Sequence, residues 1–329
     1  MEDVARLAGV SRALVSLVVR ESPKVRPESR RKVLDAAAEL GYRPNAMARN
    51  LARRRTRTIG VLLHELHNPF YAEIMDGIDE LAGELAYDIL IGTAGRKPRG
   101  EEASIETFLE LRTDGLILVG PQAPPGAIAA AARLVPTVVV ARAMRSDALD
   151  VIVNDEQAGA LLAVEHLAEL GHERIAHIDG GRGANASARR RGYEAAMRSL
   201  GLGDRILVVP GEYTEVAGGE AAGRLLSAGE LPTAIFAAND VVALGVRDRL
   251  AADGVRVPDD ISLVGYDNTA LAGLSHTALT TVDQPRALMG RLAMGALVER
   301  VEQGRTAPVA HRLVPSLVVR ASTAPPRPA

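Results

Sequence analysis

Arginines occupy positions 49, 53, 54, 55 and 57, and like charges packed this closely repel one another until an anion neutralises them. Upstream, Ser11, Arg12, Ala13, Ser16, Leu17 and Arg20 recur at the spacing of one helix face. An arginine there can donate two hydrogen bonds to a guanine edge, and an alanine can touch a thymine methyl. A different chemistry lies in the rest of the chain, where Phe70 and Tyr71, Arg189, Asn239 and Asp240, Asp267 and Asn268, and Gln284 each follow an apolar run or open a helical one. Asp and Asn together accept from and donate to neighbouring hydroxyls, Arg forks onto an oxygen pair, and aromatic faces stack on a ring. The combination fits a polar, ring-shaped small molecule. Each has a plainer reading beside it: Asn239, Asp240 and Asp267 can cap helices, and Phe70 can be ordinary core.

Other chemistry is missing. The chain has no cysteine, so it has no thiolate ligand, disulfide or cysteine nucleophile. His64-Glu65-Leu66-His67 is one residue short of the zinc-protease spacing, and His166, His172 and His177 read as packing or capping residues. Neither glycine-rich phosphate loop occurs, nor does a G-x-S-x-G nucleophile turn. No catalytic residue, metal or cofactor is expected, and the chain is not expected to be an enzyme.

The elements that must position these residues differ between the ends of the chain. Residues 3–8 read as a short helix with Val4, Leu7 and Ala8 inward, Gly9 allows a sharp turn, and Val10 is placed to plug the core. Ser11 can cap a second helix with Leu14, Val15 and Val18 on its apolar face. Pro27 suits the start of a third, whose inner stripe is Val33, Leu34, Ala37 and Leu40, and Gly41 can end it. Two helices joined by a short glycine turn describe a helix-turn-helix, which lays its second helix in the DNA major groove. Asn45 can cap a further short helix ending at 51 or 52, marginal in isolation, and Leu51 is an apolar wedge among arginines.

From Thr58 the pattern alternates. Strand-length apolar runs at 59–63, 89–91, 116–119, 137–140, 175–178, 206–209, 234–237 and 261–264 are separated by helical stretches such as 72–85, 158–170 and 241–250. That is the signature of α/β architecture with parallel sheets covered on both faces, and about 270 residues suit two such layers. In open sheets of this kind ligands bind beyond the carboxyl ends of strands, where the candidate residues fall.

Charge divides the 329 residues in the same way: residues 1–57 carry 14 of the 39 Lys and Arg and 6 of the 41 Asp and Glu, a net +8, against −10 for the rest. A basic head on an acidic body is the footprint of a polyanion partner at one end. No run of about 18 apolar residues exists, so no membrane partner is expected, and the start, Met1-Glu2-Asp3, lacks a signal-peptide pattern. A cytoplasmic location follows as the expectation.

The stretches Asp3-Val4-Ala5, Ala8-Gly9-Val10-Ser11, Val15-Ser16, Gly41-Tyr42-Arg43-Pro44-Asn45-Ala46 and Thr58-Ile59-Gly60-Val61 resemble the LacI/GalR family of bacterial transcription regulators. So do Asn68-Pro69-Phe70-Tyr71, Glu165-His166-Leu167, Leu170-Gly171-His172, Gly192-Tyr193, Ala238-Asn239-Asp240, Val264-Gly265-Tyr266-Asp267, Leu279-Thr280-Thr281-Val282 and Gln284-Pro285. The resemblance spans nearly the whole chain. It implies a three-helix DNA-binding domain (1–43), a hinge helix and linker (44–57), and a two-lobed body similar to periplasmic sugar-binding proteins (58–322), with a tail at 323–329. Lobe 1 would hold 58–153 and 285–312, and lobe 2 would hold 154–284 and 313–322. DNA contacts are implied for the helix-turn-helix residues named above and for Asn45, Ala48, Arg49 and Leu51, the last prying open the central operator step. Phe70, Tyr71, Arg142, Arg189, Asn239, Asp267 and Gln284 would line the effector cleft. Leu17 stands where the family usually has Arg, and Glu156 where it usually has Asn. The partners implied are a near-palindromic double-stranded operator, a small-molecule effector such as a sugar, and a second copy in a homodimer. The other reading of the same residues is a solute-binding receptor or sugar-handling enzyme whose basic arm does nothing.

Overall fold

The computed structural model describes residues 1–19, 22–42, 55–93, 100–229 and 231–327. The chain forms two compact units, 1–57 and 58–329.

In the first unit, α1 (Glu2–Leu7), α2 (Arg12–Val19) and α3 (Pro27–Glu39) close on a small core of Val4, Ala5, Val15, Val18, Val25, Val33 and Ala36. Gly9 turns the chain between α1 and α2 at φ +65°. The Ser11 hydroxyl accepts from the Leu14 N–H at 3.2 Å, capping α2 and presenting its first turn to solvent. Three leucines expected inside are not: Leu7, Leu34 and Leu40 remain exposed, and Val25 from the α2–α3 turn fills the core instead. Spacing alone does not separate Val33 from Leu34, which sits only 100° further round the same helix.

The second unit begins with β1 (Thr58–Leu63), α4 (Pro69–Glu84), β2 (Asp88–Thr93), α5 (Gly100–Glu110), β3 (Gly115–Val119), α6 (Pro125–Ala132), β4 (Thr137–Val140) and β5 (Asp150–Asn154). It continues with α7 (Glu156–Glu169), β6 (Ile175–Ile178), α8 (Ala186–Ser199), β7 (Leu207–Val209), α9 (Glu215–Ser227), β8 (Ala234–Ala237), α10 (Asp240–Ala252), β9 (Ser262–Asp267) and β10 (Thr280–Asp283). It ends with α11 (Arg286–Gln303), β11 (Ala310–Leu313) and β12 (Ser316–Val318).

The strands form two six-stranded sheets, ordered β11-β5-β4-β3-β1-β2 and β12-β10-β9-β8-β6-β7. The first is parallel throughout. The second departs from the all-parallel expectation at its edge, where β12 runs antiparallel to β10. The reason is topological: the chain leaves β11 in the first sheet and enters the second only two residues later, with Ser316 at the start of β12 opposite Asp283 at the end of β10, so β12 runs back against β10. Each sheet is covered on both faces by its own pair of apolar clusters, which is why central strands such as β3, β4 and β8 read as unbroken apolar runs.

The chain passes between the sheets three times, at 154–156, 283–286 and 313–316. The stretch read as a tail is tied down at its start: the Ala324 carbonyl accepts from the Ser262 hydroxyl and lies 2.9 Å from His172 Nε2. Glycines set the closest helix contacts. A Cβ on Gly290 of α11 would fall 2.1 Å from the Ile74 carbonyl oxygen of α4, and one on Gly245 of α10 would fall 1.9 Å from that of Glu215 of α9.

Candidate functional site

In the basic unit, Ser11, Arg12, Ala13 and Leu17 lie exposed and Ser16 half-buried on the flank of α2 opposite Val15 and Val18. The Arg12 guanidinium lies 3.3 Å from Glu2, with the two side chains 71% and 74% exposed. Water screens such a pair, and a phosphate or base edge can replace the glutamate at little cost. Arg20, Asn45, Ala48, Arg49 and Leu51 lie outside the described residues.

In the acidic unit, strand order reverses at β1, which has β2 on one side and β3 on the other, and at β6, which lies between β7 and β8. Ligands of open α/β folds bind at such reversals. The loop after β1 delivers Asn68, Phe70 and Tyr71, and the loop and helix after β6 deliver Ala184, Asn185 and Arg189. With Ala141, Glu156, Tyr213, Asn239, Asp267 and Gln284 they line one cavity of about 30 Å³.

Each side chain is held by its element. Asn68 caps α4 by accepting from the Phe70 N–H at 3.0 Å, which starts the helix with Phe70 and Tyr71 side by side. Their rings meet edge to face, 5.3 Å apart. Burial, with Tyr213 and Asp267 near by, pushes the Tyr71 hydroxyl pKa far above its ordinary value, so it acts only as a neutral donor and acceptor. Asn239 is both cap and lining: its side chain accepts from the Val242 N–H at 2.9 Å. Asp267 ends β9 at φ +114°, a conformation that L-residues adopt at a cost and that clusters at binding sites. Gln284, in the second crossover, donates to Asp267 at 2.5 Å and accepts from Asn154 in the first. Burial raises the Asp267 carboxyl well above the usual carboxylate range.

Arg189 is the one cation among the described lining residues. Its Nε and Nη2 donate to one Glu156 oxygen at 3.1 and 2.7 Å, and Nη1 donates to the Ala238 carbonyl. The guanidinium carbon lies 3.4 Å from the centre of the Tyr266 ring. Against burial, which opposes the charge, Glu156 holds the guanidinium protonated. Asn185 bridges the lobes, donating to the Ala141 carbonyl and to the other Glu156 oxygen, both at 3.0 Å.

Six of the seven residues expected in the cleft therefore meet around one cavity. Arg142 does not: its guanidinium turns away to donate to the Pro121 and Ala123 carbonyls at 2.8 and 2.7 Å, satisfying a loop that no ladder pairs. Asp240 is internal too, accepting from Thr269 and Thr281. Ala141, Glu156, Ala184, Asn185 and Tyr213 also line the cavity and were not among the sequence candidates. Tyr213 was reachable by the strand-end rule, since it follows β7 by four residues. Glu156 was reachable the same way, two residues past β5, whereas Asn185 gave no such signal, because its place depends on α7 and α8 packing side by side.

An exposed reading helix on a basic unit, with a buried polar cleft between two α/β lobes on the same chain, defines a ligand-responsive DNA-binding protein. Residues 1–45 match the family described as "Bacterial regulatory proteins, lacI family", and residues 164–323 match "Periplasmic binding protein-like domain". Catabolite control protein A of Priestia megaterium is 36% identical over 301 residues, 90% of this chain and 91% of that protein. The lac repressor dimer bound to operator and the anti-inducer ONPF is 30% identical, covers 98% of both chains and superposes with a TM-score of 0.84. The transcriptional regulator CelR–cellobiose complex is 33% identical, again over 98% of both chains, with a TM-score of 0.73. The chain belongs to the lacI family and is a DNA-binding transcriptional regulator. These relatives are regulators rather than enzymes. Among the described residues no helix is long and apolar enough to cross a membrane, and no cluster of His, Asp and Glu could hold a metal.

Proposed function

We propose that this protein is a cytoplasmic repressor that binds a near-palindromic operator as a homodimer and is controlled by a sugar or similar polar metabolite in the interlobe cleft. Ser11, Arg12, Ala13, Ser16 and Leu17 of each protomer enter a half-site, and Phe70, Tyr71, Arg189, Asn239, Asp267 and Gln284 hold the effector, with no catalytic step. The observation that carries this reading is the convergence of those six residues, from both lobes and a crossover, on one cavity. The lac repressor and CelR structures, solved with operator and with cellobiose, support it by likeness. The cavity is too small for a sugar ring, so binding must part the side chains or the lobes. A ligand that favours one lobe arrangement shifts operator affinity through that motion, with a typical coupling of about 1–3 kcal/mol, or 5–150-fold.

Selection of full-length protein on random duplex DNA tests the proposal. The expected result is an enriched two-fold-symmetric sequence whose affinity falls steeply with salt and changes when a sugar is added. Enrichment of no sequence, or affinity indifferent to salt, overturns it.

A further inference from the structure

We propose that Glu156 is a built-in counterion that neutralises Arg189 and thereby restricts the cleft to uncharged polyhydroxylated rings, rejecting phosphorylated or carboxylated ones. The inference deepens the effector reading above and rests on it.

An arginine in a ligand cleft is ordinarily the group that captures an anion, because its planar fork matches a carboxylate or phosphate. Here the fork is already taken. Glu156 opens α7 and Arg189 stands in the first turns of α8, and the packing of these helices brings the carboxylate onto Nε and Nη2. Both side chains are nearly sealed from water, 4% and 6% exposed, so the pair is neutral as a unit and solvent cannot screen it. Asn185 fixes the second carboxylate oxygen, and the Ala238 carbonyl fixes Nη1, so neither partner can swing away without breaking further bonds.

The remaining lining reinforces this. Asp267 adds a carboxyl and no base. Burial raises that carboxyl well above its usual range, which favours its neutral form. Phe70, Tyr71 and Tyr213 add apolar rings and neutral hydroxyls to the lining and bring no positive charge. A phosphate entering the cleft would meet one carboxylate already bound to the one cation among the described lining residues. A hydroxyl can share the residual N–H groups of Arg189 and the oxygens of Asp267 without displacing either.

Thermal unfolding of the full-length protein tests this, using ribose, glucose and uridine and the monophosphate of each at constant ionic strength. For whichever compound raises Tm, the neutral form is expected to act at least tenfold more tightly than its phosphate. A phosphate that outperforms its parent overturns the inference yet leaves the regulator reading standing. Silence from every neutral ring overturns both.

The second arm needs no knowledge of the effector. In Glu156→Gln the buried guanidinium lacks its counterion, so inorganic phosphate replacing chloride should raise Tm, or restore folding if chloride alone does not support it. Wild type and Glu156→Gln/Arg189→Gln should not respond. A wild type that responds as strongly as Glu156→Gln, or a single variant stable and indifferent to phosphate, overturns the proposal.

Discussion

Arg12 and Arg189 each lie against a glutamate, the first 3.3 Å from Glu2 on the head and the second 2.7 Å from Glu156 in the body. The chemistry is the same and the energetics are opposite. The head pair is about three-quarters exposed, so the arginine exchanges one solvated partner for another almost freely, which suits a residue that must leave its glutamate for DNA. The body pair is buried, and removing one member strands a charge where water cannot reach it. The head therefore keeps its recognition groups outside a small core and can change them without unfolding. The body builds recognition into the packing of two lobes, so binding and stability are carried by the same side chains.

The largest break in this comparison is Arg189→Ala. It should cost about 3–5 kcal/mol of stability in urea unfolding, because Glu156 loses its buried partner. A cost under about 1 kcal/mol would show that the pair is not sealed.

Protonation probes the body core nearly as hard. His177 is stacked between Tyr193 and Phe236, its Nδ1–H donates to the Phe236 carbonyl at 2.9 Å, and its other nitrogen is buried without a hydrogen-bond partner among the described residues. Burial lowers its pKa to about 4. The unfolded chain, near 6.5, then binds more protons than the folded one. The stability His177 contributes is complete above pH 6.5 and is lost as pH falls through about 4, about 3 kcal/mol in all. Asp240, whose carboxyl burial raises, gives the opposite slope in part of this range. The difference between wild type and His177→Phe isolates the histidine term, and parallel pH curves for the two would refute it.

Smaller effects belong to the head. Arg12→Ala should leave the unfolding midpoint unchanged yet weaken specific DNA binding by about 1–3 kcal/mol, relaxing the preference at one base pair. Equal loss on all sequences would make Arg12 a phosphate contact instead. Ser11→Ala removes the α2 cap and should cost about 1 kcal/mol of head stability, measured by hydrogen exchange of the Leu14 amide.

Much of this was legible in the residues. Alternating strand and helix periods located β1 to β4 and β6 to β9, because each period is enforced by neighbours a few positions apart, but missed β5, β10, β11 and β12. The strand-end rule placed Phe70, Tyr71, Asn239 and Asp267, since a residue just past a parallel strand has nowhere to go but the ligand edge. Gly9 and Ser11 marked the turn and cap of the head for equally local reasons. Arg142, which the resemblance implied for the cleft, turns elsewhere, because position along the chain does not fix the direction of a long side chain and two loop carbonyls accept from its guanidinium.

Sequence alone thus determined the alternation of most strands and helices and the charge split between the units, which are set by short-range stereochemistry and composition. Only the tertiary structure decided that β12 turns antiparallel, that Leu34 stays out while Val25 goes in, and that Glu156 meets Arg189 across 33 residues of chain. Those outcomes depend on which helix faces and sheet edges pack together. That choice is made by the whole set of competing contacts at once, and no local pattern records it.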